Sequence, residues 1–119
     1  MGNNSHKVKL NLEKLVRLGD ALSNPLRVKI LKLLMEKEWY VYEMAKELSI
    51  SRQLLYLHLK KLEKAGLIES DIRLEDNRAK KYYWASEFNY VLDNETIKNG
   101  GVNMVNGMGS GIGGDLLLS

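Results

Sequence analysis

The chain has 119 residues, 45% of them apolar, enough for one domain with a buried core that needs neither metal nor disulfide to hold it. It contains no cysteine, and its histidines are His6 and His58, so a single chain cannot build a disulfide framework, a thiolate site or a multi-histidine zinc site. The net charge of +3 is uneven: residues 1–85 carry 17 Lys/Arg against 11 Asp/Glu, and residues 86–119 carry 1 against 4, a basic body with a mildly acidic remainder that suits a polyanionic partner.

The opening "MGNNSHKVK" lacks the apolar centre of a signal peptide, and no window approaches the roughly 20 apolar residues of a membrane span. A cytoplasmic protein with no membrane partner is therefore expected, with residues 1–9 as an N-terminal arm. Leu12, Leu15, Val16, Leu18 and Leu22 then recur at three- and four-residue spacing behind Asn11, a capable cap, and predict a first amphipathic helix. Its stripe suits either the core or a second copy of the chain. "SNPLRVKILKLLMEKE" predicts a second helix capped by Asn24 with Pro25 at its first position, where a missing N–H costs nothing. Leu26, Val28, Ile30, Leu31, Leu33, Leu34 and Met35 cover most of its circumference, leaving Lys29, Lys32 and Glu36 as a narrow wet edge, so this helix is expected in the middle of the domain.

"EWYV" is a short β-prone piece, after which Val41, Met44, Ala45 and Leu48 predict a third helix of about two turns with one buried face. Ser49 and Ile50 separate it from Ser51, whose side chain can cap a fourth helix. That helix buries Leu55, Leu59 and Leu62 and stops where Gly66 can take the left-handed conformation. Two short helices joined by a tight turn read as a helix-turn-helix. Leu67–Leu74 and Lys80–Ala85 are β-leaning runs around the polar "EDNRA" and predict a hairpin with a solvated tip. Phe88, Val91 and Leu92 have helical spacing, from which a last helix is expected, with Asp93-Asn94 able to break it and an extended path equally open. Residues 99–119 form a Gly-rich tail, with seven glycines between positions 100 and 119 and no periodicity.

The expected fold is thus mostly α with a small β-hairpin, a winged helix-turn-helix domain over residues 10–98. "ALSNPLRVKILKLL", then "VYEMAKELSISRQLLYLHLKKLEKAGLIES" and a basic hairpin, resembles the ArsR-type winged-helix transcriptional regulators over roughly residues 10–92. Ala45, the Ser51 cap, the His58-Leu59 pair and the "LEKAGLI" exit fall where that family's pattern puts them. The resemblance implies sequence-specific binding of double-stranded DNA by a nucleoid-associated homodimer, with the helix Ser51–Ala65 in the major groove and the wing Arg73–Lys81 on the backbone or minor groove.

Elementary chemistry agrees with that assignment. Arginine can make two hydrogen bonds to guanine and glutamine two to adenine, which suits Arg52 and Gln53 at the start of a groove-lying helix. Tyr56 can bond a base or phosphate, Leu57 can meet a thymine methyl, and Lys60 and Lys61 follow near the backbone, while the helix N-terminus at Ser51 favours a phosphate oxygen. A plain solvated face explains the lysines equally well but not Tyr56 and Leu57 exposed side by side. On the wing, Arg73, Asn77, Arg78, Lys80 and Lys81 are the candidates, Arg78 foremost for groove entry, against a solubilising role favoured by Glu75 and Asp76. Tyr82 and Trp84 share one strand face and are expected to pack rather than stack on bases.

Arg27 is expected in a partly buried ion pair, and His58 falls on the inward side as a packed histidine. Metal-sensing members of the resembled family use cysteines near the third helix or His/Asp/Glu sets on the last helix, and this chain has neither, so no metal or cofactor is expected. No nucleophile elbow, phosphate-cradling glycine loop or histidine with an acidic or serine partner points to an enzyme. A homodimer is expected through Leu12, Leu15 and Val16 with the segment of Phe88, Val91 and Leu92. A sequence-indifferent architectural DNA binder and a winged-helix protein-interaction module are the alternatives.

Overall fold

A computed structural model describes residues 7–99 of the chain. They divide into two compact units, residues 7–16 with 88–99 and, between them in sequence, Arg17–Glu87. Among the described residues no helix is long and apolar enough to cross a membrane.

In the first unit, β1 (Lys7–Val8) pairs in parallel with β5 (Asn89–Tyr90), Lys7 opposite Asn89 and Val8 opposite Tyr90. The helix α1 (Leu12–Leu22), whose residues from Arg17 onward belong to the second unit, begins as its sequence requires, the Asn11 side chain accepting the Lys14 N–H at 2.8 Å. Residues 86–92 are not helical, Asn89–Tyr90 among them being strand, and a helix spans only 94–99. Asp93 begins this helix instead of breaking one: its carboxylate accepts the Thr96 N–H at 2.9 Å, and the Thr96 hydroxyl takes the Asp93 N–H at 3.2 Å in return. Phe88, Val91 and Leu92 therefore lie outside any helix, where their three- and four-residue spacing does not define a face. The Gly-rich stretch from residue 100 lies outside the described residues.

The second unit holds α2 (Pro25–Glu36), β2 (Trp39–Tyr40), α3 (Val41–Leu48), α4 (Arg52–Lys64), β3 (Ile68–Glu75) and β4 (Arg78–Ala85). Asn24 caps α2 through bonds from the N–H groups of Leu26 and Arg27, with Pro25 at the first position. The second helix is less enclosed than its composition predicts. Ile30, Leu31 and Leu34 are buried, but Val28 and Met35 are exposed, so one face of the helix meets the core. The strands form one antiparallel sheet in the order β2-β4-β3, Tyr40 opposite Tyr82 and Arg73 opposite Lys80. Its base joins the helices in a core of Ile30, Leu34, Val41, Met44, Leu55, Leu59, Leu62, Leu67, Ile68 and Tyr83. Tyr83, pointing opposite to Tyr82 and Trp84, is the aromatic residue of β4 that the core takes; the other two stay half-buried on the outer sheet face.

Two turns decide where the outward-facing side chains go. Between α3 and α4, Ser49 adopts a left-handed conformation (φ 56°), and the N–H groups of Ser49 and Ile50 close α3 on the carbonyls of Lys46 and Ala45. At the hairpin tip Asp76 and Asn77 are both left-handed (φ 53° and 62°), a two-residue turn of the kind whose twist matches paired strands. The strands consequently run to Glu75 and Arg78, farther than the β-leaning runs in the sequence suggest. Gly66 (φ 77°) ends α4, with its N–H on Glu63 and the Leu67 N–H on Leu62.

Candidate nucleic-acid interface

The seat of α4 fixes what it shows to solvent. Leu55, Leu59 and Leu62 are fully buried, so at 100° per residue the opposite row is Gln53, Leu57, Lys60 and Lys64, all exposed, with Leu57 at 63%. Arg52 and Tyr56 flank that row on the α3 side; Leu54 and Lys61 flank it on the other. Ser51 starts the helix, its hydroxyl accepting the Leu54 N–H at 3.0 Å. Lys64 and Leu54 were not among the sequence candidates, although Lys64 continues the row of Gln53, Leu57 and Lys60 at the same three- and four-residue spacing.

Between α3 and α4 lies an open cleft of about 760 Å³, lined by Tyr42, Lys46 and Ile50 on one side and Arg52, Gln53 and Tyr56 on the other. Tyr42 and Lys46 were also missed; their i, i+4 spacing on the unburied side of α3 is the signal that could have found them. The Arg52 guanidinium lies 4.0 Å over the Tyr42 ring.

Lys61 is held differently from the other lysines of α4. Its ammonium meets the Asp20 carboxylate at 2.8 Å, and that bond keeps the Asp20 pKa below the usual carboxylate range against the opposing effect of desolvation. Close by, buried Arg27 makes no ion pair among the described residues, contrary to the expectation. Its Nε donates to the Ala21 carbonyl and Nη2 to the Asp20 carbonyl, each at 2.9 Å, while Nη1 sits 3.1 Å from His58 Nδ1. The guanidinium thus closes the last turn of α1, whose carbonyls have no helical partners and whose negative dipole end favours a cation. Desolvation first and the Arg27 charge second hold the His58 pKa below its ordinary value, which keeps the ring neutral and Nδ1 free to accept.

Most of the wing's charge is engaged within the fold. Arg73 makes two bonds to Glu38, at 2.7 and 2.8 Å, and one to Asp71 at 3.1 Å, with its guanidinium over Tyr82 at 4.4 Å. The Arg73 bonds hold the Glu38 pKa below its ordinary value. Tyr82 donates its hydroxyl to Glu75 at 2.8 Å, which pushes its own pKa up. Lys80 lies 3.6 Å from Glu75 and over the Tyr40 ring, and Lys81 lies over Tyr83. Arg78, exposed beside the tip residue Asn77, has no carboxylate partner among the described residues. On the sheet face shared with Tyr83, the distal residues Ile72 and Leu74 are left exposed.

A family model, "Bacterial regulatory protein, arsR family", matches residues 24–70, from the α2 cap into β3. An HTH-type transcriptional regulator of Methanocaldococcus jannaschii is 53% identical over 89 residues, covering 75% of this chain and 94% of that protein. Among solved structures, HlyU from Vibrio cholerae N16961 is similar at 27% identity and a TM-score of 0.50, over 87% of this chain and 95% of that one. The homodimeric winged helix-turn-helix DNA-binding domain of a Mycobacterium bovis protein shares the fold at 24% identity and a TM-score of 0.56, over 81% of this chain and 80% of that one. The capped α2, the left-handed turn after α3 and the seated α4 lie within the stretch that the family model matches, and the chain belongs to the ArsR family of winged helix-turn-helix transcriptional regulators.

Proposed function

We propose that the protein binds double-stranded DNA sequence-specifically as a cytoplasmic homodimer, with α4 in the major groove and the tip of the β3–β4 hairpin on the backbone or minor groove. The observation that carries this reading is the outer row of α4: Gln53, Leu57, Lys60 and Lys64 are exposed together, and among the described residues none of them has a hydrogen-bonding or ionic duty in the fold. Gln53, with Arg52 beside it, lies at the end of the helix that reaches base edges, and a bidentate pair to a base is worth about 1–3 kcal/mol of discrimination. Leu57 supplies an apolar contact for a thymine methyl. Lys60, Lys64 and Arg78 supply charge for phosphates, with Asn77 beside Arg78 at the hairpin tip.

Lys61 and Arg73, though basic, serve the fold through Asp20 and Glu38, and Lys80 and Lys81 are partly engaged by Glu75 and ring faces. Residues 10–98 constitute the DNA-binding domain in this reading. Self-association through Leu12, Leu15 and Val16 with Phe88, Val91 and Leu92 is supported by the exposure of Val16 and Leu92, at 60% and 61%, and by the homodimeric state of the Mycobacterium bovis neighbour. The two recognition helices then fall about one turn of DNA, ~34 Å, apart.

Selection from random-sequence duplex DNA at near-physiological salt tests the reading. An enriched inverted repeat with half-sites about ten base pairs apart is expected. If three cations per protomer meet phosphate, log affinity should fall against log salt with a slope near about −5. Salt-sensitive recovery with no enriched motif would replace base reading with backbone binding alone.

A further inference from the structure

Arg52 does not hang free at the start of α4. Its guanidinium covers the Tyr42 ring, Tyr42 is stacked on Tyr40 with centroids 5.1 Å apart and planes 11° from parallel, and Tyr40 meets Tyr82 of β4 at 5.7 Å. At the far end the Arg73 guanidinium lies over Tyr82, itself anchored by Glu38, and the Lys80 ammonium sits 5.1 Å from the Tyr40 ring centre. Three rings thus run from the first residue of α4 to the strands of the wing, with a guanidinium at each end. The β2–β4 ladder fixes Tyr40 against Tyr82, and the Tyr82 hydroxyl is tied to Glu75.

We propose that Tyr42 is a positioning residue for base recognition: it holds the Arg52 guanidinium over its ring and, through Tyr40 and Tyr82, fixes that position relative to the wing. This rests on the reading of α4 as the major-groove element. A contact with a ring face at 4.0 Å gives the Arg52 guanidinium no hydrogen-bond acceptor to satisfy, so its N–H donors stay available for two bonds to a guanine. A guanidinium already held against a ring also loses less conformational freedom when it docks. The core does not require a ring at this position. Tyr42 is 47% exposed, whereas Val41, Met44 and Ala45 anchor α3.

The test compares affinities of the full chain and of Arg52→Ala, Tyr42→Phe, Tyr42→Leu and the Tyr42→Leu/Arg52→Ala double variant. Each is titrated with the selected duplex and its single-base-pair variants, beside a melting curve and a salt series. Tyr42→Leu should lower discrimination roughly two- to fivefold, the range of an exposed cation–π contact, at the base pair that Arg52→Ala affects. Salt slope and Tm should hold, Tyr42→Phe should behave as the natural chain, and the double variant should be no worse than Arg52→Ala alone. Full discrimination in Tyr42→Leu where Arg52→Ala has lost it would overturn the proposal while leaving the major-groove reading intact. A uniform loss on every sequence would make Tyr42 a structural residue and overturn it as well. Unchanged base preference in Arg52→Ala would remove Arg52 from base recognition, and the role of Tyr42 with it.

Discussion

The helix α4 and the β3–β4 hairpin carry four cations each and use them in opposite ways. On α4, Lys60 and Lys64 project outward with no acidic partner among the described residues, and Lys61 at the edge is held by Asp20. On the hairpin, Arg73 and Lys80 are bound by Glu38, Asp71 and Glu75, and Arg78 at the tip is left. The difference follows from what holds each element in place. Three fully buried leucines seat α4, so its outer surface carries no structural load. The hairpin buries only Ile68 and Tyr83 at its base, and the rest of its length is fastened by ion pairs and ring faces.

The sharpest test of this contrast removes the seat. Leu59→Ala should destabilise the protein by about 2–5 kcal/mol, as truncation of a fully buried leucine does, whereas Leu74→Ala on the exposed distal wing should stay within about 0.5 kcal/mol. Denaturant titration separates the two, and similar losses would mean the wing is packed more like a core than its exposure indicates. Next in size, Arg73→Ala should lower the Tm, by less than Leu59→Ala, and leave the salt slope of DNA binding unchanged. Lys60→Ala should do the reverse, preserving Tm and reducing the slope by about 1 per protomer. Arg73→Ala with a shallower slope would show that the wing arginine is shared with phosphate.

Smaller effects compare the two left-handed turns. Ser49→Gly should gain about 0.5–1 kcal/mol, because a residue with a Cβ is strained at φ 56°. Asn77→Gly should gain less, since asparagine tolerates that conformation. The smallest effect is that of His58. Its pKa is lowered on folding, so the unfolded chain binds the proton more readily; its contribution is complete above the ordinary pKa of about 6.5 and is lost as pH falls through the lower folded value. Asp20 and Glu38 act in the same direction at more acid pH. Stability measured from pH 7 to 5 should therefore decline less in His58→Asn, which keeps an acceptor for Arg27 but does not titrate.

The same contrast explains what could be read in advance. Helices announce their caps and faces locally, so Asn11, Asn24 and Ser51, the buried leucines of α4 and the exposed pair Tyr56 and Leu57 were legible from spacing alone. The partners of Arg73 were not, because Glu38 is 35 residues away and the pairing appears only when the β2-β4-β3 order is known. Arg27 was misread for a related reason: an acceptor set of backbone carbonyls at the end of another helix leaves no mark in side-chain chemistry. Beyond residue 86, a helical spacing of apolar residues competed with a capping signal at Asp93, and the cap decided where the helix begins.

The most direct measurement is a map of amide and side-chain shift changes when the selected duplex is titrated into isotope-labelled protein. Changes concentrated on Ser51–Lys64, on Tyr42 and Lys46 across the cleft, and on Asn77 and Arg78 at the wing tip are expected, with Arg73 and Lys61 keeping their ion-pair signatures. Changes centred elsewhere, with the outer row Gln53, Leu57, Lys60 and Lys64 undisturbed, would contradict the assignment of α4 as the DNA-reading element.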